Sequence, residues 1–239
     1  MILTPQIKLT ANILSEILES NAEGQICPGN SSTVMTGYGL LQGSTLTTDA
    51  SRVRSADNVS RYYEQTSSAL AGNNIGWASA DASCKMDMPS FHSFLLRFPS
   101  VTNIRFFFGL GVTATLGGYV DADALSSIGF GIQFSSDRGD TSLQLVSYNG
   151  VSQTTTPTGF LPTVDTPYLF RMQIVSATNV RISAYTATGV LLFSNTITLT
   201  LPASSTTLFA LFCAEPRTAA AQTIRTYFYR IRGNSITNS

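Results

Sequence analysis

A chain of 239 residues with 14 basic and 14 acidic side chains carries no formal net charge, so it lacks the basic footprint of a nucleic-acid binder. Its apolar share of 43% is enough for a sizeable core, and its charged share of 12% is about half that of an ordinary globular protein. Together these are the reverse of a disordered composition. The length suits one large β-domain with an appendage, or two small domains.

The first residues, Met1-Ile2-Leu3-Thr4-Pro5, show neither the basic start nor the continuous apolar stretch of a signal peptide. No run of 18 or more apolar residues follows to span a membrane. The expectation is a protein made in the cytoplasm without cleavage. Ile7, Ala11, Leu14, Ile17 and Leu18 recur at intervals of three and four, which predicts a helical stripe closed by Gly24, Pro28 and Gly29. So short a helix is marginal alone in water and must dock, on its own domain, on symmetry mates or on a larger assembly. Ile7, Leu14, Ile17 and Leu18 are therefore the candidate attachment and oligomerisation residues. Residues 29–48 are rich in Gly, Ser and Thr and read as a linker. The division expected is an attachment segment with linker over 1–50 and a β-domain over 51–239.

Lysine and glutamate then all but vanish: from Gln65 to Ser239 there is one lysine, Lys85, one glutamate, Glu215, and one histidine, His92. Both residue types favour solvated helix faces, so their loss among abundant Thr, Tyr, Phe and Val argues for strands. Strands are predicted at 59–65, 75–79, 90–98, 103–113, 127–135, 142–148, 168–175, 180–186, 190–200, 207–213 and 223–232. Turn signals separate them at Ser135–Asp140, at Thr188-Gly189 and at Asn149-Gly150, where a type I′ hairpin is expected. In Arg171-Met172-Gln173-Ile174 and Val180-Arg181-Ile182-Ser183, apolar and polar residues alternate. That pattern fits an antiparallel sandwich with one face of each sheet buried. The fold class expected is all-β, an antiparallel β-sandwich with a short N-terminal helical segment.

The order of pieces from Asn103 to Gly233 resembles the concanavalin-A-like (lectin/glucanase) jelly-roll domains of tailed-bacteriophage fibre and appendage proteins. Asn103-Ile104-Arg105-Phe106-Phe107-Phe108-Gly109-Leu110, Ile128-Gly129-Phe130-Gly131-Ile132-Gln133-Phe134-Ser135 and Asp165-Thr166-Pro167-Tyr168-Leu169-Phe170-Arg171 carry the resemblance, with a hairpin over 180–200 and a last strand ending at Ile231-Arg232. The resemblance implies a virion structural protein of a tail or head fibre. It implies a homo-oligomer with a trimer favoured, bound to other virion proteins through its N-terminal segment.

Chemistry is hard to assemble from the remaining residues. Retaining glycoside hydrolysis needs two carboxylates about 5–5.5 Å apart, and neither Glu64 nor Glu215 has an acidic neighbour two or four residues away. Asp121-Ala122-Asp123 reads as a solvated turn, with cation binding or catalysis as alternatives. His92 has no Ser-centred elbow to serve. One histidine and the scattered Cys27, Cys84 and Cys213 give no metal-ligand spacing; a Cys27–Cys84 bridge stays open. Arg138-Gly139-Asp140 spells an adhesion tripeptide in a sequence that also suits a turn. The arginines at 217, 225, 230 and 232 read as outward strand residues, with electrostatic docking as the alternative. No enzyme, cofactor, metal, nucleic acid or membrane is expected.

Sugar binding is the second function class. An exposed aromatic flanked by polar side chains could stack on a glycan, and Trp77 with Asn73 and Asn74, or the pair Tyr62 and Tyr63, are the candidates. For Trp77 a core position is the leading reading, because the single tryptophan of an all-β domain is usually buried, with a subunit interface and then the ligand platform as alternatives. The functional expectation is a virion contact protein, with a host-surface glycan adhesin on the same fold as the alternative.

Overall fold

The computed structural model describes residues 41–42, 51–56, 61–67, 69, 71–79, 84–98, 100–112 and 116–233; in 41–42, 51–56, 61–63, 79 and 227–233 it is the backbone that is described. The candidate attachment residues Ile7, Leu14, Ile17 and Leu18 lie outside the described residues. So does all of 1–50 except Leu41–Gln42.

Two antiparallel sheets stack into a sandwich. One holds β1 (Leu41–Gln42), β4 (Ile75–Ser79), β14 (Thr207–Pro216), β7 (Ile104–Gly111), β8 (Gly129–Ser135), β9 (Gln144–Tyr148) and β10 (Gln153–Pro157) in that order, with β5 (Cys84–Lys85) beside β14. The other runs β13 (Leu191–Ile197), β12 (Asn179–Thr186), β11 (Pro167–Ser176), β6 (Ser90–Arg97), β15 (Thr223–Gly233), β3 (Arg61–Thr66) and β2 (Ser51–Ala56). The one helix among the described residues is a single turn, α1, Gly117–Val120.

The period-two pattern decides what enters the core. From the first sheet, Trp77, Phe106, Phe108, Phe130, Ile132 and Phe212 point between the layers. They meet Phe94, Phe170, Met172, Ile182 and Ile224 of the second. Phe98 stacks on Phe106 with ring centroids 4.7 Å apart, and Phe108 meets Phe170 edge-on at 4.8 Å. Each well-placed aromatic pair adds about 1 kcal/mol beyond the area it buries.

The run Phe106-Phe107-Phe108 breaks alternation because β7 is buried on both faces. Phe107 points away from the main core into a second cluster with Leu116, Tyr119, Val120, Leu125, Val146 and Leu211. Residues 116–127 thus roof the outer face of the first sheet. Tyr119 stacks on Phe107 at 4.9 Å, and a side chain at Gly111 would collide with the Tyr119 ring. Glycine stands at 111 because an aromatic ring lies flat on the sheet there.

All eleven predicted strands are present, with ends shifted by a few residues. Several details differ, the two-residue β5 and the turn α1 among them. The Asn149-Gly150 hairpin is not type I′: Gly150 has φ +96°, but Asn149 is absent from the positive-φ residues. Its side-chain oxygen instead accepts hydrogen bonds from the N–H groups of Val151 and Ser152, both at 2.9 Å, which makes a four-residue connection. Strand β10, Gln-Thr-Thr-Thr-Pro, was not expected. It lies on the sheet edge, where half-exposed threonines and a terminal proline are tolerated. Strand β2 was likewise not expected.

Candidate functional site

Charge is scarce in this chain, and half of the described charged side chains lie around the crossing of the roof over β7, β8 and β14. Arg105, 4% exposed, extends along the outer face of β7. Its Nε donates to Asp123 Oδ1 at 2.9 Å and its Nη1 to the Val120 carbonyl at 3.0 Å. The Glu215 carboxylate lies 4.0 Å from the same Nη1. Glu215 also accepts from Arg217, whose Nε donates to Asp137 Oδ2 at 2.6 Å.

Arg138 completes the cluster. It donates from Nε and Nη2 to the two oxygens of Asp140, at 2.8 and 2.6 Å. Its Nη1 reaches the Asp123 carbonyl at 2.9 Å and Gln133 Oε1 at 3.1 Å. Asp140 in turn accepts from the Ser135 N–H at 2.9 Å. The Arg-Gly-Asp tripeptide therefore closes on itself, and the adhesion reading is corrected: its guanidinium and carboxylate hold each other.

Burial works to raise the Asp123 carboxyl, but the Ser135 hydroxyl and the Arg105 guanidinium outweigh it and hold Asp123 below the usual range. For Glu215 burial wins over Arg217 and Arg105, and its carboxyl is raised. Asp137 raises Arg217 further. These groups form an internal lattice that pins the roof to the sheet. Opening it would expose Leu116, Tyr119, Val120 and Leu125, each of which contributes about 2 kcal/mol by burial. The roof is a fixed part of the fold.

Of the sugar-stacking candidates, Trp77 is described and turns inward. Trp77 is fully buried; its ring packs 6.0 Å from Phe94 and 6.5 Å from Phe212, and its Nε1 donates to Thr226 Oγ1 at 3.1 Å. It is a core residue, and the stacking-platform reading of Trp77 is corrected. Tyr62 and Tyr63 fall in β3, with side chains outside the described residues. Asn73 and Asn74 sit in the turn before β4, where Asn74 Nδ2 donates to Asp121 Oδ1 at 2.8 Å. Asp121 and Asp123 therefore both serve the roof.

His92 is buried and hydrogen-bonds Ser90 Oγ at 2.9 Å, while its neighbour Phe91 points to solvent. Burial pushes its imidazole down to about 3. Cys84 and Cys213 are free and buried; burial pushes the Cys84 thiol up to about 12 and raises Cys213 well above its usual value. Cys27, the other half of the open Cys27–Cys84 pairing, lies outside the described residues. Among the described residues no group of three or more His, Cys, Asp and Glu is placed to hold a metal ion, and no helix is long and apolar enough to cross a membrane.

A shallow groove lies where the edge strands β10 and β13 approach each other. Ser147, Thr154, Thr156, Thr196 and Thr198 line it over Leu145. Ser147 Oγ donates to the Leu199 carbonyl at 2.8 Å and meets Thr200 Oγ1 at 2.8 Å. Thr200 itself has φ +52°, a strained setting for a β-branched residue.

Sequence reasoning missed the Arg105–Glu215–Arg217 lattice. The signal was available, because Glu215 is the sole glutamate after Glu64 and ends the apolar run from Leu208 to Ala214. An isolated acid there needs a buried partner.

No protein-family model matches the chain, and no curated protein matches it in sequence. Solved structures do match in fold. A protein of unknown function from Shewanella oneidensis MR-1 superposes with TM-score 0.62 at 12% identity, over 100% of this chain and 98% of that one. The exoplasmic/lumenal domain of VIP36, in a Ca2+/Man3GlcNAc-bound form, gives 0.54 at 10% over 91% of each chain. Peanut lectin gives 0.53 at 12%, over 88% of this chain and 98% of that one. With its two antiparallel sheets and their shared core, the chain is a β-sandwich of the concanavalin-A-like jelly-roll fold.

Proposed function

We propose that the chain is a virion structural protein, a fibre, appendage or decoration subunit of a tailed bacteriophage or related virus. It is assembled as a homo-oligomer and held to the particle by its N-terminal segment. The observation that carries this reading is the internal use of charge. Arg105, Arg138 and Arg217, with Asp123, Asp137, Asp140 and Glu215, are spent on one another, holding the 116–127 roof and the β8–β9 turn to the sheet. The acids of this cluster are thereby tied to guanidinium groups, which suits a shell that makes contacts rather than one that moves protons. The resemblance to phage appendage domains supports the same reading, and no catalytic role is proposed. The test is sedimentation of particles from the producing host, followed by detection of the chain. Co-sedimentation with the particle peak is expected, and recovery only from the soluble fraction would overturn the reading.

The second reading is a host-surface glycan adhesin. The neutral, hydroxyl-lined groove between β10 and β13 favours it, together with the fold likeness to a domain solved in a Man3GlcNAc-bound form. A glycan array probed with the full chain separates the two. Hits lost on Thr154→Val with Thr196→Val would establish the adhesin, and a blank array would remove it.

A further inference from the structure

The inward face of the second sheet turns polar where β3 runs beside β15. Gln65, Ser67, Gln222 and Thr226 are all buried there. Gln65 lies opposite Ile224 in the pairing of the two strands, and a 2.9 Å bond from the Ser67 N–H to the Gln222 carbonyl continues it. Ile224 belongs to the main core, so the period of two sets Gln65, Ser67 and Gln222 on that same inward face. Gln65 and Gln222 are diagonal neighbours on it, a spacing that long side chains bridge.

Gln65 reaches across the sandwich. Its Nε2 donates to the Gly76 carbonyl of β4 at 2.8 Å. Only the NH2 end of an amide can do that, so Oε1 is fixed as the end turned away. This Oε1 is buried and has no hydrogen-bond partner among the described residues. Gln222 is in the same condition: its backbone N–H donates to Ser67 Oγ at 2.9 Å, while its buried Oε1 has no partner. A buried acceptor without a donor carries its full desolvation penalty, and here two such oxygens belong to neighbouring side chains.

An occupant that satisfies both oxygens must donate to each. Two neutral amides do not repay the desolvation of a cation inside a core, whereas a water molecule has one proton for each acceptor, and buried water typically serves such groups. We infer that one water molecule is bound inside the sandwich between Gln65 and Gln222, donating to both Oε1 atoms. It is part of the fold: through Gln65 it ties β4 of the first sheet to the entry of β15 in the second. Trp77, next to Gly76 in β4, reinforces the same tie by donating to Thr226 of β15. The site is independent of what the outer surface contacts.

The test is a crystal structure of the full chain at a resolution that shows ordered water, with long-lived internal waters counted in solution by deuterium relaxation dispersion of the solvent. The crystal is expected to show one water about 2.7–3.2 Å from both Oε1 atoms. Gln65→Met with Gln222→Met is expected to hold one internal water fewer than the parent, and to lose less stability than the two single variants summed, because the water couples them. The parent crystal requires no variant to fold. A direct bond between the Gln222 and Gln65 amides, or no density between the two oxygens, would overturn the inference. So would a peak ringed by oxygens at about 2.3–2.6 Å, the coordination of a cation, or a water count that the paired variant leaves unchanged.

Discussion

Arg138 and Asp140, the two charged ends of an Arg-Gly-Asp tripeptide, are bonded to each other through two contacts of 2.8 and 2.6 Å. A tripeptide that reads as an adhesion signal is thereby a closed turn, with Gly139 at φ +72° supplying the bend. Asp140→Ala removes both bonds and the acceptor for the Ser135 N–H. It is expected to destabilise the fold by about 2 kcal/mol, read from urea unfolding. Integrin binding is expected to be absent in parent and variant alike.

Arg105 is the centre of the buried lattice, and its loss leaves Glu215 without one of its two guanidinium neighbours. Breaking a buried ion network by deleting one partner costs about 3–5 kcal/mol. Arg105→Ala should therefore lower stability by that amount. Hydrogen exchange should show faster amide exchange over residues 116–127 than in the parent, because Asp123 and the Val120 carbonyl lose their tether.

Trp77 is the sole tryptophan, so intrinsic fluorescence reports the core directly. Acrylamide is expected to quench it poorly in the folded chain and strongly after unfolding, and added glycans should not move its emission. Trp77→Phe removes the Nε1–H donor to Thr226 and leaves space behind, at a cost of about 2 kcal/mol in denaturant titration.

His92 gives a signed pH dependence. Burial depresses its folded value to about 3, against about 6.5 in an unfolded chain. Between those limits the unfolded state binds the extra proton, so stability is complete above about pH 6.5 and falls as pH drops toward 3. The slope approaches about 1.4 kcal/mol per pH unit. Glu215, whose carboxyl is raised, works in the opposite sense: it favours the fold at low pH and loses that contribution as pH rises. The comparison of parent with His92→Gln isolates the histidine, and the variant should show a flatter stability curve across this window.

The fold was legible because the loss of Lys and Glu and the period-two alternation are local signals. Arg171-Met172-Gln173-Ile174 alternates in sequence, and the β11 burial pattern alternates with it. What local pattern cannot carry is a strand buried on both faces. Phe106-Phe107-Phe108 reads as a plain apolar run, and only the roof over β7 explains why Phe107 points outward and is still buried. The candidate site was less legible for the same reason. Arg105, Asp123, Arg138 and Glu215 are separated along the chain, and the crossing of residues 116–127 over the sheet brings them together. Trp77 was legible: the single tryptophan of an all-β domain reads first as a core residue, and its pairing with β14 sets it fully buried there.

The central claim, that this sandwich makes contacts within a virus particle, is tested most directly by quantitative mass spectrometry of gradient-purified particles from the producing host. The account predicts peptides of this chain at a fixed copy ratio to the major shell protein across every particle fraction. Their absence from the particles, or a ratio that drifts from fraction to fraction, would contradict it.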